Sequence, residues 1–218
     1  DSLQANTTGA NNVAVGKSAL YSNTTASSNT AVGHDALLAN TTGHSNTAVG
    51  SGALDVNTTG EKNIAVGIYS LDANTTGSYN VGVGSGALGG NTTASNNTAV
   101  GHSALQTNST GEVNTAIGYN SLKDNTTGGA NIAIGDRALA NNTTNHNNLA
   151  IGNLALFTQT TDGTKNVAVG NQALYSNTEG DYNNALGESA LYTNTTGSSN
   201  IAIGDYAMGV NTTGSNNV

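Results

Sequence analysis

A glycine recurs along this chain at a nearly constant spacing, each time directly after a short apolar segment. The series runs through Gly16, Gly33, Gly50, Gly67, Gly84, Gly101, Gly118, Gly135, Gly152, Gly170, Gly187 and Gly204. Every step is 17 residues except the step of 18 between Gly152 and Gly170. One unit of this length cannot bury its own few apolar side chains, but stacked units can share a continuous core. The period therefore predicts a solenoid, and it is too short for repeats built from two helices.

The repeat reads N-T-T-G-x-x-N-x-A-[VI]-G-x-x-A-L-x-x, and we number its positions one to seventeen starting at Asn6. We predict an all-β fold, a parallel β-solenoid (β-roll) of about 12 coils. The main strand is expected at positions seven to ten, as in Asn46-Thr47-Ala48-Val49, and ends at Gly50. Positions thirteen to sixteen are expected to form a second short strand or an extended turn, with a helical turn as the alternative. The one-residue insertion lies in Phe157–Thr164, which predicts a turn there.

Asn occupies position seven in every repeat, and proline is absent from the chain. In a stacked coil nearly every N–H bonds the next coil, which proline cannot do. Asn side chains in register both donate and accept hydrogen bonds, so they can form a ladder that satisfies buried polar groups. We predict a structural ladder at Asn12, Asn29, Asn46, Asn63, Asn80, Asn97, Asn114, Asn131, Asn148, Asn166, Asn183 and Asn200.

Positions nine and ten carry apolar side chains that a strand directs to opposite faces. Position nine is Ala except at Gly82, and position ten is always Val, Ile or Leu. Two apolar faces suggest that one lines the coil and the other packs on a partner chain. We expect Ala48 and its equivalents to face that partner, because Ala permits close approach. The alternative is that Ala sits at a tight corner.

The block Asn46-Thr47-Ala48-Val49-Gly50-Ser51-Gly52-Ala53-Leu54 resembles the head repeats of YadA-like trimeric autotransporter adhesins. It is also similar to repeat shafts of phage tail fibres, and the resemblance covers nearly all 218 residues. The resemblance implies a left-handed β-roll, three chains around one axis, and an extracellular adhesive or spacer role. The period of 17 with its N-T-T-G turn is longer than the usual head unit. We expect residues 1–218 to form a single repeat array, a fragment of a longer fibrous protein.

Charge and composition argue against several classes of function. A net charge of −8 with only five Lys plus Arg disfavours nucleic acid and anionic membranes as partners. No apolar run approaches the roughly 20 residues of a membrane span, so we expect no membrane insertion. His34, His102, His44 and His146 lie at variable positions several coils apart, and the carboxylates are scattered. We therefore predict no metal, no cofactor and no enzymatic activity.

Tyr21, Tyr175 and Tyr192 share position sixteen and are candidate surface contacts. Exposed Tyr can stack on sugars or anchor a protein partner. The alternative is that these rings only cover the Leu residues of position fifteen.

These patterns together predict a non-enzymatic, extracellular fibre segment. It would be a homotrimer that acts as a spacer and as a multivalent surface for a host protein or glycan. The alternative function is an ice- or crystal-binding solenoid that uses ranks of Thr. A polysaccharide-degrading solenoid would need acidic residues concentrated in adjacent coils, which the sequence does not show.

Overall fold

The computed structural model describes residues 1–159 and 162–218, which form twelve three-residue strands and no helix. The chain divides into an N-terminal unit, Asp1–Thr110, and a C-terminal unit, Gly111–Val218. The N-terminal unit contains β1 (Val13–Val15), β2 (Thr30–Val32), β3 (Thr47–Val49), β4 (Ile64–Val66), β5 (Val81–Val83) and β6 (Thr98–Val100). The C-terminal unit contains β7 (Thr115–Ile117), β8 (Ile132–Ile134), β9 (Leu149–Ile151), β10 (Val167–Val169), β11 (Asn184–Leu186) and β12 (Ile201–Ile203). The predicted all-β, parallel β-solenoid fold is confirmed.

Within each unit, consecutive strands pair in parallel with equal repeat positions side by side. In the N-terminal unit Thr30 pairs with Thr47, and Ala31 with Ala48. In the C-terminal unit Ala150 pairs with Ala168 across the longer step of the insertion, so the extra residue does not disturb the register. The turn predicted for the insertion includes residues 160 and 161, which lie outside the described residues.

The strands begin one residue later than predicted, at position eight, and still end before the glycine of position eleven. The cause is the Asn at position seven. The backbone N–H of Asn46 donates to the side-chain Oδ1 of Asn29 at 2.8 Å instead of to a backbone carbonyl. The backbone ladder therefore starts at the next residue, where the Thr30 N–H donates to the Asn46 carbonyl at 2.8 Å.

Positions thirteen to sixteen form a turn, and the second strand considered for them is absent from the described residues. Leu54 has a φ of 53° and Gly52 a φ of 66°, both in the left-handed region. Left-handed residues at alternate positions are compatible with neither a strand nor a helical turn. Inter-coil hydrogen bonds continue through the turn all the same, as from the Leu54 N–H to the Ser70 carbonyl at 3.1 Å.

The interior of each coil is narrow and is filled by Ala from positions nine and fourteen and Leu from position fifteen. Ala48, Ala53 and Leu54 are completely buried within the chain itself. The expectation that position nine faces a partner chain is therefore wrong. The turn supplies a large Leu to the interior, which leaves room for only a methyl group from the strand. Consequently the bulkier side chains of positions eight and ten point outward.

Candidate binding surfaces

The outward side chains of positions eight and ten form a surface that we call the apolar strip. In the N-terminal unit it comprises positions eight and ten of β1–β6, and in the C-terminal unit those of β7–β12. Val49 is 36% exposed, Ile64 42% and Val15 58%. Ile117 and Leu186 show the same in the C-terminal unit, with 38% and 50% exposure.

Neither part of the apolar strip contains a charged side chain, and its polar members are Thr and Asn184. Parallel in-register pairing places the side chains in straight ranks, about 4.8 Å apart from coil to coil. At roughly 50 Å² for each side chain, the twelve in one unit expose about 600 Å², the upper end for patches on soluble monomers. Patches of this size on soluble proteins are often functional, which makes the apolar strip a candidate interaction surface.

The predicted Asn ladder at position seven is present in both units, and its amides bond to backbone. The Nδ2 of Asn46 donates to the Gly60 carbonyl at 2.8 Å, and its Oδ1 accepts the backbone N–H of Asn63 at 2.9 Å. In the C-terminal unit the Nδ2 of Asn131 donates to the Asn145 carbonyl at 2.8 Å. Asn12 is half-buried at the start of the chain, and the other predicted ladder residues, from Asn29 to Asn200, are buried.

A second ladder, at position one, links Asn amides directly to one another. The Nδ2 of Asn40 donates both to the Oδ1 of Asn23 at 3.1 Å and to the carbonyl of Gly43 at 2.9 Å. The predicted ladder residues did not include this ladder. Its signal is present in the sequence, since position one is Asn in all repeats but one. Most residues of both ladders are buried and bonded to the neighbouring coil, so the ladders hold neighbouring coils together.

The two Thr positions of the N-T-T-G segment differ in exposure. At position two the Thr41 hydroxyl donates to the carbonyl of Thr58 at 3.1 Å, and the side chain is half-buried. At position three Thr42, Thr59 and Thr76 are exposed. Within these N-T-T-G segments only the Thr of position three is fully exposed.

The candidate Tyr residues lie in different surroundings. Tyr21, in the N-terminal unit, is 40% exposed. In the C-terminal unit Tyr175 stacks on Tyr192 with ring centroids 5.2 Å apart. Phe157, which also occupies position sixteen, stacks on the other face of Tyr175 at 5.4 Å. Phe157 was not among the predicted surface contacts, which were Tyr residues only.

The His side chains make local surface contacts. The Nε2 of His44 lies 2.8 Å from Glu61 Oε1, and the Nδ1 of His34 lies 2.9 Å from Asp35 Oδ2. The Nδ1 of His146 accepts the backbone N–H of Gly129 at 2.8 Å. In the part of the chain that the structure describes, no three His, Asp or Glu side chains are placed to hold a metal ion.

Two half-buried carboxylates at position sixteen of the N-terminal unit have raised pKa values. Burial raises the pKa of Asp55, and the negative charge of Asp35 adds to this shift. Burial likewise raises the pKa of Asp72, with a further contribution from Asp55. The two occupy the same position in successive coils, so these carboxylates oppose each other's ionisation.

Comparison with protein-family models, curated proteins and solved structures found no match to this chain. Among the described residues there is no helix that could cross a bilayer.

Proposed function

We propose that this chain is a non-enzymatic segment of an extracellular fibre. Three copies assemble through the apolar strip, and the assembled coils act as a spacer that also presents a multivalent flank. The apolar strip is the observation that carries the proposal.

The composition of the strip favours a protein partner of the same kind. Its ranks of Val, Ile and Thr repeat at the coil spacing, so a second copy of the chain offers a surface of matching period and flatness. The strip carries no charge, which allows two copies to meet without burying an unpaired ion. The resemblance to the head repeats of trimeric adhesins supports three copies rather than two.

The interior of each unit supports the spacer role. Within each unit, buried Asn ladders and an Ala/Leu core tie neighbouring coils together, so each unit gains stability by repetition. Such an array can be extended without a change of design, which suits a shaft that holds a binding region away from a surface.

Sedimentation equilibrium tests the assembly with a matched pair of variants in one coil. The wild-type chain should have three times its 21.6 kDa chain mass. Val66→Arg places a charge on the strip and should shift the species towards the single chain, because a buried unpaired charge is strongly unfavourable. Thr59→Arg lies on an exposed position of the same coil and should leave the mass unchanged. A wild-type mass of one chain, or equal effects of both variants, would contradict the proposal.

The exposed Thr of position three supports a second candidate, an ice- or crystal-binding solenoid. These residues form one regular rank, as at Thr42, Thr59 and Thr76. The rank is only one residue wide, since the Thr hydroxyls of position two are bonded to the next coil. Thermal hysteresis in solution, abolished by Thr59→Tyr, is the result expected of this candidate, and its absence would eliminate it.

A further inference from the structure

The aromatic stack of the C-terminal unit ends at Phe157. One face of this ring is covered by Tyr175, as described above. On the other side the preceding coil places Ala140 at position sixteen, and the coil before that places Lys123 there. The methyl group of Ala140 leaves empty the space that a third tyrosine would fill.

That space is an open cavity of about 130 Å³, which we call the Phe157 notch. Its apolar lining is Phe157 and Ala140, and its polar lining is Asn120, Lys123, Asp124, Arg137 and Asn141. An aromatic ring beside convergent polar groups is a combination found in small-ligand sites, and this notch is smaller and more polar than most of them. The volume is that of a cleft that holds part of one sugar ring rather than a deep pocket.

Positively charged side chains are scarce in this protein, and two of them lie in the polar lining of the notch. The chain has five Lys plus Arg and a net charge of −8, yet two of the five, Lys123 and Arg137, line this one notch. Asp124 is the single acid in the lining, and it lies 4.0 Å from Lys123. The notch therefore carries a local positive excess on an acidic molecule.

The side chains around the notch are held in place by their own contacts. The Arg137 guanidinium lies over the ring of Tyr119, 5.8 Å from its centroid. Arg137 and Asn120 both occupy position thirteen, each with a φ of 52°. The turn therefore brings their side chains to the lining of the notch from successive coils. A guanidinium presents a planar fork of donors that matches a carboxylate.

We propose that the Phe157 notch binds a carboxylated sugar unit, such as a uronic acid residue of an anionic polysaccharide. The C–H face of the sugar stacks on Phe157, its carboxylate accepts hydrogen bonds from Arg137 and Lys123, and its hydroxyls bond Asn120, Asn141 and Asp124. This inference rests on the adhesive part of the proposed function and is independent of assembly through the apolar strip.

Phe157 is the only Phe in the chain, so its ring signals report on the notch without ambiguity. We would titrate the full chain, labelled at Phe, with trigalacturonate and follow the ring signals by NMR. The Phe157 signals should shift with saturable, weak binding. The methyl ester of the same trisaccharide should bind about tenfold more weakly, because it lacks the charged hydrogen bonds.

Three variants locate the binding. Ala140→Leu fills the notch and should abolish the shifts, and the natural Leu38 at the equivalent position of another coil shows that the fold accepts this residue. Arg137→Gln should weaken binding about tenfold, the factor expected for one charged hydrogen bond. Lys62→Gln removes the same charge from the other unit and should change the affinity less than about twofold.

The absence of any shift would overturn the proposal, as would equal affinity for the ester or binding that survives Ala140→Leu. The oligomeric mass of the same samples is measured alongside. If the chain has a trimeric mass but does not bind the sugar, only the proposed sugar site is rejected. If it has the mass of a single chain, the proposed assembly is rejected.

Discussion

Gln159 is the one residue at repeat position one that is not Asn. It is completely buried, and neither its Oε1 nor its Nε2 has a hydrogen-bond partner among the described residues. The Oδ1 of Asn142, which occupies position one in the preceding coil, is also buried and unpartnered. The amide ladder is thus interrupted where the longer side chain stands.

Restoring the ladder residue should stabilise the protein. Gln159→Asn gives this position the side chain that links neighbouring coils elsewhere. At Asn57, for example, the Nδ2 donates to the Oδ1 of Asn40 at 2.9 Å. Each buried polar group that regains a partner is worth about 1–3 kcal/mol. We expect a higher urea midpoint for Gln159→Asn. The reciprocal variant, Asn57→Gln, should lower the midpoint, and a neutral result for both would mean that the amide ladder contributes little.

At the residue scale, the sequence predicts which positions repeat, but it does not predict which side chains of the strand point into the coil. Alternation places positions nine and ten on opposite sides, and nothing in the period of a strand says which side is inside. The deciding residue is Leu at position fifteen, whose left-handed conformation, as at Leu54 with φ of 53°, turns a large side chain inward. Leu rarely adopts this conformation, so local propensity does not predict it.

At the scale of the strand and the turn that faces it, Ser70 and Gly82 form a compensating pair. Ser70 stands at position fourteen, where most repeats have Ala, and its Oγ donates to the Gly82 carbonyl at 2.9 Å. A Cβ at Gly82 would lie 2.6 Å from that Oγ. Gly82, the one glycine at position nine, therefore makes room for the Ser70 hydroxyl, and its carbonyl accepts the hydrogen bond of that hydroxyl.

A double-mutant cycle tests this pairing. Gly82→Ala should cost about 1 kcal/mol, because the hydroxyl must rotate away and lose its bond to the Gly82 carbonyl. Ser121 shows the rotated alternative, donating to the Gly118 carbonyl three residues earlier at 3.2 Å. The double variant Ser70→Ala, Gly82→Ala recreates the pair seen at Ala53 and Ala65, and should be more stable than Gly82→Ala alone. Additive effects in urea unfolding would contradict the coupling.

The stacked carboxylates of the same unit predict a pH dependence. The pKa values of Asp55 and Asp72 are raised, mainly by burial, so the ionised forms are disfavoured in the folded state. Their contribution to stability is therefore full below the ordinary carboxyl pKa and is lost as pH rises through the raised values. Lowering the pH from neutral to about 4 should raise the urea midpoint through these two groups.

The variant Asp55→Asn, Asp72→Asn isolates that contribution. It should be more stable than the wild type at neutral pH and should show a smaller gain on acidification. Asp124→Asn, an acid of the other unit, serves as the control and should keep the wild-type pH profile. A double variant whose profile matches the wild type would show that these carboxylates do not set the pH dependence.

At the scale of the whole molecule, the period of 17 predicts the solenoid class and the Asn ladder of position seven. The Phe157 notch could not be predicted in this way. It depends on one coil that carries Ala140 between Lys123 and Phe157, a difference between repeats rather than a shared feature. The repeat consensus describes the core well, because stacking requires the same core residues in every coil. It describes surface sites poorly, because stacking leaves the surface residues free to vary.

In the proposed assembly, neighbouring copies of the chain cover the apolar strip. Attenuation of Val and Ile methyl signals by a soluble paramagnetic agent measures this coverage directly. Val113 and Val210 lie off the strip and are 58% and 90% exposed, so they serve as references within the same molecule. Covered strip methyls, such as those of Val49, Val66 and Ile117, should be attenuated far less than their exposure in the single chain implies. Attenuation in proportion to that exposure, with Ile117 at 38%, would contradict the account.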